Sequence, residues 1–177
     1  MLVVPEGKTW VPSHMILVKQ FYADGSVKKY KARLVANGSR QAWFSYTETS
    51  SPTAQEASVK LLYAKAASLG RVVRTFDVKA AYLKSDIDEE IYMLLPKANK
   101  NDNNHWVKLL KSIYGLKQAG KLWFENIKGV LLDAGCKQSE QDECVFTLYD
   151  EVNSIDIDIV LYVDDILTSG HRSCVSL

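Results

Sequence analysis

The feature that most constrains the fold of this chain is a pair of neighbouring aspartates, Asp164 and Asp165, inside the apolar stretch of residues 159–167. Neighbouring side chains on a regular strand point to opposite faces, so one of the two carboxylates would otherwise enter the core. A tight turn between two short strands, with both carboxylates at its tip, avoids that burial. Two unit charges about 4 Å apart repel by roughly 4 kcal/mol at an effective dielectric constant near 20. The pair must therefore be protonated, solvated in a surface turn or neutralised by cations, of which an oxygen-preferring dication, Mg²⁺ or Mn²⁺, fits best.

Length and composition restrict the class of protein. The chain has 177 residues, of which 47% are hydrophobic, and this is enough for one sizeable core. Its three cysteines have no paired spacing, which argues against a disulfide framework or a zinc site. No run approaches the roughly 20 apolar residues of a membrane span, and the first residues do not resemble a signal peptide. We therefore expect an intracellular protein in a reducing compartment, with no membrane partner.

Charge is unevenly distributed although the net charge is only +1. Residues 1–40 carry seven Lys or Arg side chains against two acidic ones, whereas residues 137–165 carry nine acidic side chains against Lys137. Such a division suits a polyanion held against a metal-binding centre, and it equally describes two ordinary solvated faces.

The N-terminal part predicts a β-hairpin over residues 11–35, because Asp24-Gly25 is a two-residue turn signal between β-rich runs. On the second strand, the period of two places Lys29, Lys31 and Arg33 on one face. Cations in such a row either bind phosphates or form a solvated face.

Two helices follow from the sequence pattern. Residues 53–56 have the form of a capping box, so a helix is expected from there to Leu69, with Gly70 as its stop. A second helix is expected from about Gln118 to Ala134, and Trp123 lies on its apolar stripe, which predicts a core position.

Asp77 lies near the end of residues 71–78, a run that predicts a largely buried strand. A carboxylate at that position is partly desolvated and costly unless it is paired or bound to a metal. It is either a third carboxylate for the Asp164-Asp165 turn or the N-cap of a helix over residues 79–83. Further strands are expected over residues 143–149 and 155–163, and the second delivers the aspartate pair.

Five segments, taken in order, resemble the reverse transcriptases of copia-type (Ty1/copia, Pseudoviridae) retrotransposons. They are residues 30–36 (YKARLVA), 76–83 (FDVKAAYL), 89–93 (EEIYM), 112–119 (SIYGLKQA) and 162–165 (YVDD). The resemblance implies an α+β fold with the fingers and palm of a right-hand polymerase, in which helices back a mostly antiparallel palm sheet.

The same resemblance implies a domain organisation. Residues 1–177 would be a single reverse transcriptase domain, with residues 1–70 mostly fingers, residues 71–170 mostly palm with a fingers insertion, and residues 171–177 a tail. The chain is expected to be C-terminally truncated, because the thumb and RNase H domain of the family's Pol polyprotein are not recognised in it.

Catalytic roles are also implied by the resemblance. Asp77, Asp164 and Asp165 would hold two Mg²⁺ ions, with Mn²⁺ as an alternative, and the Val78 carbonyl would be a further metal ligand. Tyr162 would approach the end of the primer.

Nucleotide-binding roles are implied in the same way. Lys31 and Arg33 match positions that grip the triphosphate. Tyr82 matches the aromatic side chain that crowds a ribose 2′-hydroxyl, and Gln118 matches a residue near the sugar of the incoming nucleotide.

The function that the resemblance implies is RNA-directed DNA polymerase, with an RNA template, a DNA or RNA primer and dNTPs as partners. An alternative is an inactive, truncated retroelement remnant that retains only nucleic-acid binding. A third interpretation is another two-metal palm enzyme such as a nucleotide cyclase, which residues 30–36 and 112–119 disfavour. The expected location is a cytoplasmic virus-like particle or the nucleus, which the sequence does not distinguish.

Overall fold

The computed structural model describes residues 4–46, 48–97 and 103–175. These residues contain two β-sheets and three helices, so the expected α+β class is confirmed. No helix in these ranges combines the length and the apolar character that crossing a membrane requires.

In chain order, the strands and helices are β1 (Thr9–Phe21), β2 (Val27–Ala36), α1 (Glu56–Leu69), β3 (Val72–Asp77), β4 (Ile91–Leu94), β5 (Trp106–Lys108), α2 (Ala119–Asp133), β6 (Lys137–Gln138), β7 (Val145–Asp150), β8 (Ile155–Tyr162), β9 (Asp165–Gly170) and α3 (Arg172–Val175).

The chain divides into two compact units, and each unit combines two separate segments. Unit 1 consists of Met1–Thr49 with Tyr82–Leu122, and unit 2 consists of Ser50–Ala81 with Trp123–Leu177. Each sheet lies entirely within one unit.

Unit 1 is built on a four-stranded sheet in the order β2-β1-β4-β5. β1 pairs antiparallel with β2, which confirms the predicted hairpin, and parallel with β4, which in turn pairs antiparallel with β5. A hydrophobic core packs against the β1 and β4 strands. Its buried members are Val11, Ala36, Ile91, Met93, Leu109, Ile113, Leu116 and Ala119.

The turn of the β1–β2 hairpin spans residues 22–26, so the predicted length of two residues is wrong. Asp24 Oδ1 accepts hydrogen bonds from the Ser26 hydroxyl at 2.7 Å and from its N–H at 2.8 Å. These bonds, the hydroxyl first, lower the pKa of Asp24. The Asp-Gly signal marked the right place, but the aspartate side chain closes a wider loop than the two-residue turn.

Two glycines let the end of β2 approach the turn before α2. The Gly38 N–H donates to the Gly115 carbonyl at 3.0 Å, and the Ala36 N–H donates to the Tyr114 carbonyl at 2.8 Å. A Cβ atom at Gly115 would lie 2.0 Å from the Ala36 oxygen, and one at Gly38 would lie 2.1 Å from the Gly115 oxygen. Glycine is therefore required on both sides of this contact.

Unit 2 is built on a five-stranded antiparallel sheet in the order β3-β9-β8-β7-β6. On one face, alternate residues of β8 pack with α2 side chains in a core. The buried members of this core are Phe124, Cys136, Cys144, Phe146, Ile159 and Leu161. On the other face, the Lys65 Nζ of α1 forms a salt bridge with the Asp158 Oδ1 of β8 at 2.8 Å. The two helices thus flank β8, the strand that leads to the aspartate pair.

The start of α1 differs from the expected capping box. The helix begins at Glu56 with Gln55 as its N-cap, and no side chain of its own segment caps it. Instead, Asp142 Oδ2 accepts hydrogen bonds from the Gln55 N–H at 2.9 Å and from the Ser58 hydroxyl at 2.5 Å. A carboxylate distant in sequence therefore stabilises the helix start, which no local pattern reveals. The predicted stop is confirmed, since Gly70 adopts φ +62°.

The expectation that β3 is largely buried is wrong. Val72 and Val73 are partly buried, whereas Arg74 to Asp77 are exposed. The physical reason is that β3 lies at the edge of its sheet, with a neighbouring strand, β9, on one side only.

The two later helices occupy the C-terminal third of the chain. α2 begins one residue after the predicted start, and Trp123 is only 4% exposed, which confirms its core position. In the predicted tail, Arg172–Val175 form α3, and residues 176–177 lie outside the described residues.

Candidate active site

The aspartate pair lies on a two-residue hairpin loop. β8 ends at Tyr162 and β9 begins at Asp165, and these two residues are paired, which leaves Val163 and Asp164 as the loop. The predicted tight turn is confirmed. Val163 adopts φ +56°, a conformation that costs a non-glycine residue roughly 1–3 kcal/mol.

Asp77 lies opposite Asp165 in the antiparallel pairing of β3 with β9. Directly paired residues of antiparallel strands project from the same face, with Cβ atoms about 4.5–5.5 Å apart. Tyr162, which pairs with Asp165 on the other side, shares this face. The register therefore brings two carboxylates and one phenol together at the solvent-exposed ends of these strands.

Residues after β3 anchor the loop. The Val78 N–H donates to the Asp164 carbonyl at 2.8 Å, so the segment after Asp77 touches the loop directly. The alternative role of Asp77 as a helix N-cap is wrong, because the next helical turn, Ala81–Lys84, begins four residues later.

The three carboxylates are accessible to solvent. Asp77 and Asp165 are exposed, and Asp164 is partly exposed. In residues 4–46, 48–97 and 103–175, no three His, Cys, Asp or Glu side chains form a ready-made metal site. The strand register makes Asp77 and Asp165 direct neighbours, and Asp164 lies on the adjoining loop. Side-chain rotation would be needed for the three to converge on one ion.

One residue outside the recognised motifs also contacts the loop. The Trp123 Nε1–H on α2 donates to the Val163 carbonyl at 2.6 Å. The sequence pattern predicted the burial of this side chain and missed the contact. The available signal was chemical, because a buried indole N–H normally finds an acceptor.

Lys31 and Arg33 lie on β2, where they pair with Val18 and Ile16 of β1. Their spacing of two residues puts them on one face, about 6–7 Å apart along the strand. Arg33 is exposed and Lys31 is partly exposed. Both cations are therefore accessible to an anionic ligand.

Tyr82 lies in the short helical turn Ala81–Lys84 and packs against the core of unit 1. Its ring meets the Tyr114 ring edge to face, with centroids 4.5 Å apart and planes inclined by 69°. This contact restricts the orientation of the Tyr82 ring.

Gln118 is only 1% exposed and lies within a buried amide network. Its Oε1 accepts from Gln41 Nε2 at 2.8 Å, while its Nε2 donates to the Ser45 carbonyl at 3.3 Å and to Asp88 Oδ1 at 3.2 Å. Gln41 Oε1 in turn accepts from the Lys117 N–H at 3.1 Å. Sequence reasoning missed Gln41, since nothing local pairs it with a residue 77 positions away.

Glu90 is the centre of an ion network at the start of β4. Its carboxylate accepts hydrogen bonds from Lys108 at 2.7 Å, from the Tyr92 hydroxyl at 3.1 Å and from Lys8 at 2.5 Å. These bonds, that of Lys108 first and that of Lys8 second, hold the pKa of Glu90 down at about 2. Glu90 therefore ties β4 to β5 and to the segment before β1.

The predicted site residues fall into two sets. The residues brought together in unit 2 are Asp77, Val78, Tyr162, Asp164 and Asp165. The predicted nucleotide-binding residues lie on β2, in the short helical turn after β3 and in the turn before α2, all within unit 1, and they are Lys31, Arg33, Tyr82 and Gln118.

Comparison with known proteins identifies relatives over most of the chain. The retrovirus-related Pol polyprotein from transposon RE2 of Arabidopsis thaliana is 36% identical over 170 residues, which are 94% of this chain and 12% of that protein. The Pol polyprotein from transposon TNT 1-94 of Nicotiana tabacum is 35% identical over 171 residues, 94% of this chain and 13% of that protein. The truncated transposon Ty1-A Gag-Pol polyprotein of Saccharomyces cerevisiae is 33% identical over 140 residues, 78% of this chain and 11% of that protein.

These relatives are much longer than this chain, which spans 11–13% of their length. The family model described as reverse transcriptase (RNA-dependent DNA polymerase) matches residues 1–175. The match and the relatives agree with the YVDD hairpin, with Asp77 opposite it and with the other sequence motifs. The chain thus belongs to the reverse transcriptase (RNA-dependent DNA polymerase) family, and within it to the copia type.

Proposed function

We propose that this chain carries the polymerase chemistry of a copia-type retrotransposon, the RNA-templated transfer of dNTPs to a primer 3′-hydroxyl. The observation that supports the proposal most strongly is the pairing of Asp77 with Asp165, next to a loop that presents Asp164. Two exposed carboxylates directly opposite one another are destabilising unless something neutralises them.

In this proposal, unit 2 is the palm and unit 1 the fingers. The antiparallel sheet of unit 2, flanked by α1 and α2, matches the expected palm sheet backed by helices. α1, which falls within residues 1–70, is then assigned to the palm, because Lys65 binds Asp158 of the palm sheet. The fingers are formed by the β1–β2 hairpin and the segment around β4 and β5.

The carboxylates on and next to the loop fit a site for divalent cations. Asp77, Asp164 and Asp165 would hold two Mg²⁺ ions or Mn²⁺, with the Val78 carbonyl as a further ligand, because hard dications prefer carboxylate and carbonyl oxygens. When bound there, such ions activate the attacking hydroxyl and stabilise the leaving pyrophosphate. The protein's contribution is the strand register, which keeps Asp77 and Asp165 on one face, and the short loop that places Asp164 directly before Asp165 in the chain.

The nucleotide-binding roles rest on residues of unit 1. Lys31 and Arg33 would bind the triphosphate, since they are accessible cations on one face of β2. Tyr82 would exclude a ribose 2′-hydroxyl, and the edge-to-face contact with Tyr114 supports a fixed ring.

Gln118 has a different environment. Because its amide is buried and bonded to Gln41, Ser45 and Asp88, we propose that Gln118 supports the surrounding segments of unit 1 instead of binding the nucleotide directly. Tyr162 is exposed beside Asp165, which suits a contact with the primer end.

The proposed partners are an RNA template, a DNA or RNA primer and dNTPs. The relatives are named Pol polyproteins, so we infer that a thumb and an RNase H domain of such a polyprotein act together with this chain. The proposed location is intracellular, in a virus-like particle or the nucleus.

RNA-templated primer extension tests the proposal. The purified chain is given poly(rA), an oligo(dT) primer, dTTP and Mg²⁺, and it should extend the primer, whereas Asp164→Asn should not. Asp133→Asn, at the exposed end of α2, is the matched control and should extend like the wild type. Primer–template binding without extension above the Asp164→Asn level would support the inactive remnant instead.

A further inference from the structure

The loop that carries Asp164 is held by a side chain that the reverse transcriptase motifs do not include. Trp123 of α2 is buried, and its Nε1–H donates to the Val163 carbonyl at 2.6 Å. We propose that Trp123 is a positioning residue, which holds this loop in the conformation that presents Asp164 and Asp165 to divalent cations. The inference rests on the proposed role of these carboxylates as metal ligands.

The loop needs such support because of its backbone. Val163 is a β-branched residue at φ +56°, in a region that glycine occupies readily and valine does not. A strained residue persists only where its surroundings determine its conformation. The loop contains just two residues, so a change at Val163 would redirect Asp164 as well.

Both loop carbonyls are bonded. The Val163 carbonyl accepts from the Trp123 indole, and the Asp164 carbonyl accepts from the Val78 N–H at 2.8 Å. One anchor comes from α2 and the other from the segment that follows Asp77. If the indole bond is lost, the Val163 carbonyl loses this hydrogen bond, and of the two bonds to the loop carbonyls only that from the Val78 N–H remains.

The donor is rigidly placed. Trp123 and Val163 line the same narrow cleft with Phe124, Cys144 and Leu161, and three of these residues are buried core members. The ring therefore has little freedom to turn its N–H away from the loop. An indole that only filled space would need no particular orientation.

Mn²⁺ binding separates positioning from packing. Trp123→Phe keeps an aromatic ring and removes the donor, so a packing role predicts lower stability with unchanged metal affinity of the folded protein. A positioning role predicts weaker Mn²⁺ binding, by about three- to tenfold in Kd, since one hydrogen bond is lost. Electron paramagnetic resonance of free Mn²⁺ measures this Kd without catalysis.

The experiment compares four full-length proteins, the wild type, Trp123→Phe, Asp164→Asn and Trp10→Phe. Trp10 is half-exposed in unit 1, so Trp10→Phe is a matched control that should bind Mn²⁺ like the wild type. If Asp164→Asn weakens Mn²⁺ binding but Trp123→Phe binds Mn²⁺ with the same Kd as the wild type, the positioning role is contradicted while the proposed metal site stands. Equal Kd values for the wild type and Asp164→Asn would overturn the proposed metal site, and the inference with it.

A second comparison keeps the inference testable if Trp123→Phe does not fold. Benzothienylalanine at position 123 has the shape of tryptophan, but sulfur replaces the N–H. It should weaken Mn²⁺ binding to the degree predicted for Trp123→Phe. Val163→Gly relieves the backbone conformation that the indole supports. In that background, loss of the indole N–H should weaken binding less than in the wild type, and an equal loss in both backgrounds would contradict the positioning role.

Discussion

Asp77, the last residue of β3, is paired across the sheet with Asp165, the first residue of β9, so two carboxylates face each other at an exposed strand end. Like charges in directly opposed positions destabilise an antiparallel sheet. The arrangement is unfavourable for folding alone, and a cation at the proposed metal site would offset this repulsion by neutralising the two charges.

Replacing one of these carboxylates should therefore stabilise the metal-free protein. We expect Asp77→Asn to raise the free energy of unfolding by about 0.2–1 kcal/mol in the presence of a chelator. In millimolar Mg²⁺ the wild type should gain stability that the variant does not gain, because ligand binding stabilises the folded state. Urea unfolding with and without Mg²⁺ measures both effects. Asp133→Asn should show neither, and a destabilised Asp77→Asn would contradict the repulsion.

Glycine at position 115 should be required, whereas glycine at position 129 should not. Gly115 has φ +94° and a Cβ there would lie 2.0 Å from the Ala36 oxygen, so Gly115→Ala should destabilise by roughly 1–3 kcal/mol or more. Gly129 lies in α2 with open space around it, so Gly129→Ala should stabilise by about 0.5–1 kcal/mol. Urea unfolding of both variants checks the opposite signs, and equal signs would contradict the close approach.

The buried amide pair should behave as one unit. Gln41→Leu leaves Gln118 Oε1 and the Lys117 N–H without the partners they have now, so it should destabilise by about 1–3 kcal/mol. Gln41→Leu combined with Gln118→Leu should cost less than the sum of the single changes, because they share partners. Gln20→Leu, on the exposed hairpin, serves as the control, and additive single and double values would contradict the coupling.

The ion network around Glu90 predicts a specific pH dependence. The folded pKa of Glu90 is lowered to about 2 from an ordinary value of 4.5, so its stabilisation is present above pH 4.5 and lost as the pH falls through 2. The stability difference between wild type and Glu90→Gln should therefore shrink between pH 4.5 and 2, and high salt should reduce it. Thermal unfolding across this range tests the prediction, with the exposed Glu151→Gln as control. A difference that stays constant with pH would contradict it.

The sequence predicted the parts of the fold that local patterns determine. The hairpin of β1 and β2, the stop of α1 at Gly70 and the tight turn at Asp164 follow from turn chemistry and alternation, and all three are confirmed. The predicted length of the β1–β2 turn is wrong for a local reason, the bonds between Asp24 and Ser26, whereas two other wrong expectations depend on the tertiary arrangement. Asp142 caps α1 from the loop before β7, and the exposure of Asp77 follows from the edge position of β3.

The candidate site shows the same division. The aspartates were visible as motifs, whereas the Trp123 bond to Val163 and the Gln41 bond to Gln118 span 40 and 77 positions. Burial of Trp123 followed from the period of its helix, but the position of its acceptor depends on how β8 packs against α2. Tertiary packing determines which acceptor a buried donor binds, and local sequence patterns do not indicate that acceptor.

The most direct test of the central claim compares RNA-templated primer extension by the wild type, Asp77→Asn, Asp165→Asn and the double variant. If the opposed carboxylates act together on bound cations, we predict that each single change lowers the rate about a thousandfold or more, and that the double variant loses little beyond this. Circular dichroism must show that all four proteins are folded. A folded Asp77→Asn or Asp165→Asn that extends the primer at a rate near the wild type would contradict the claim.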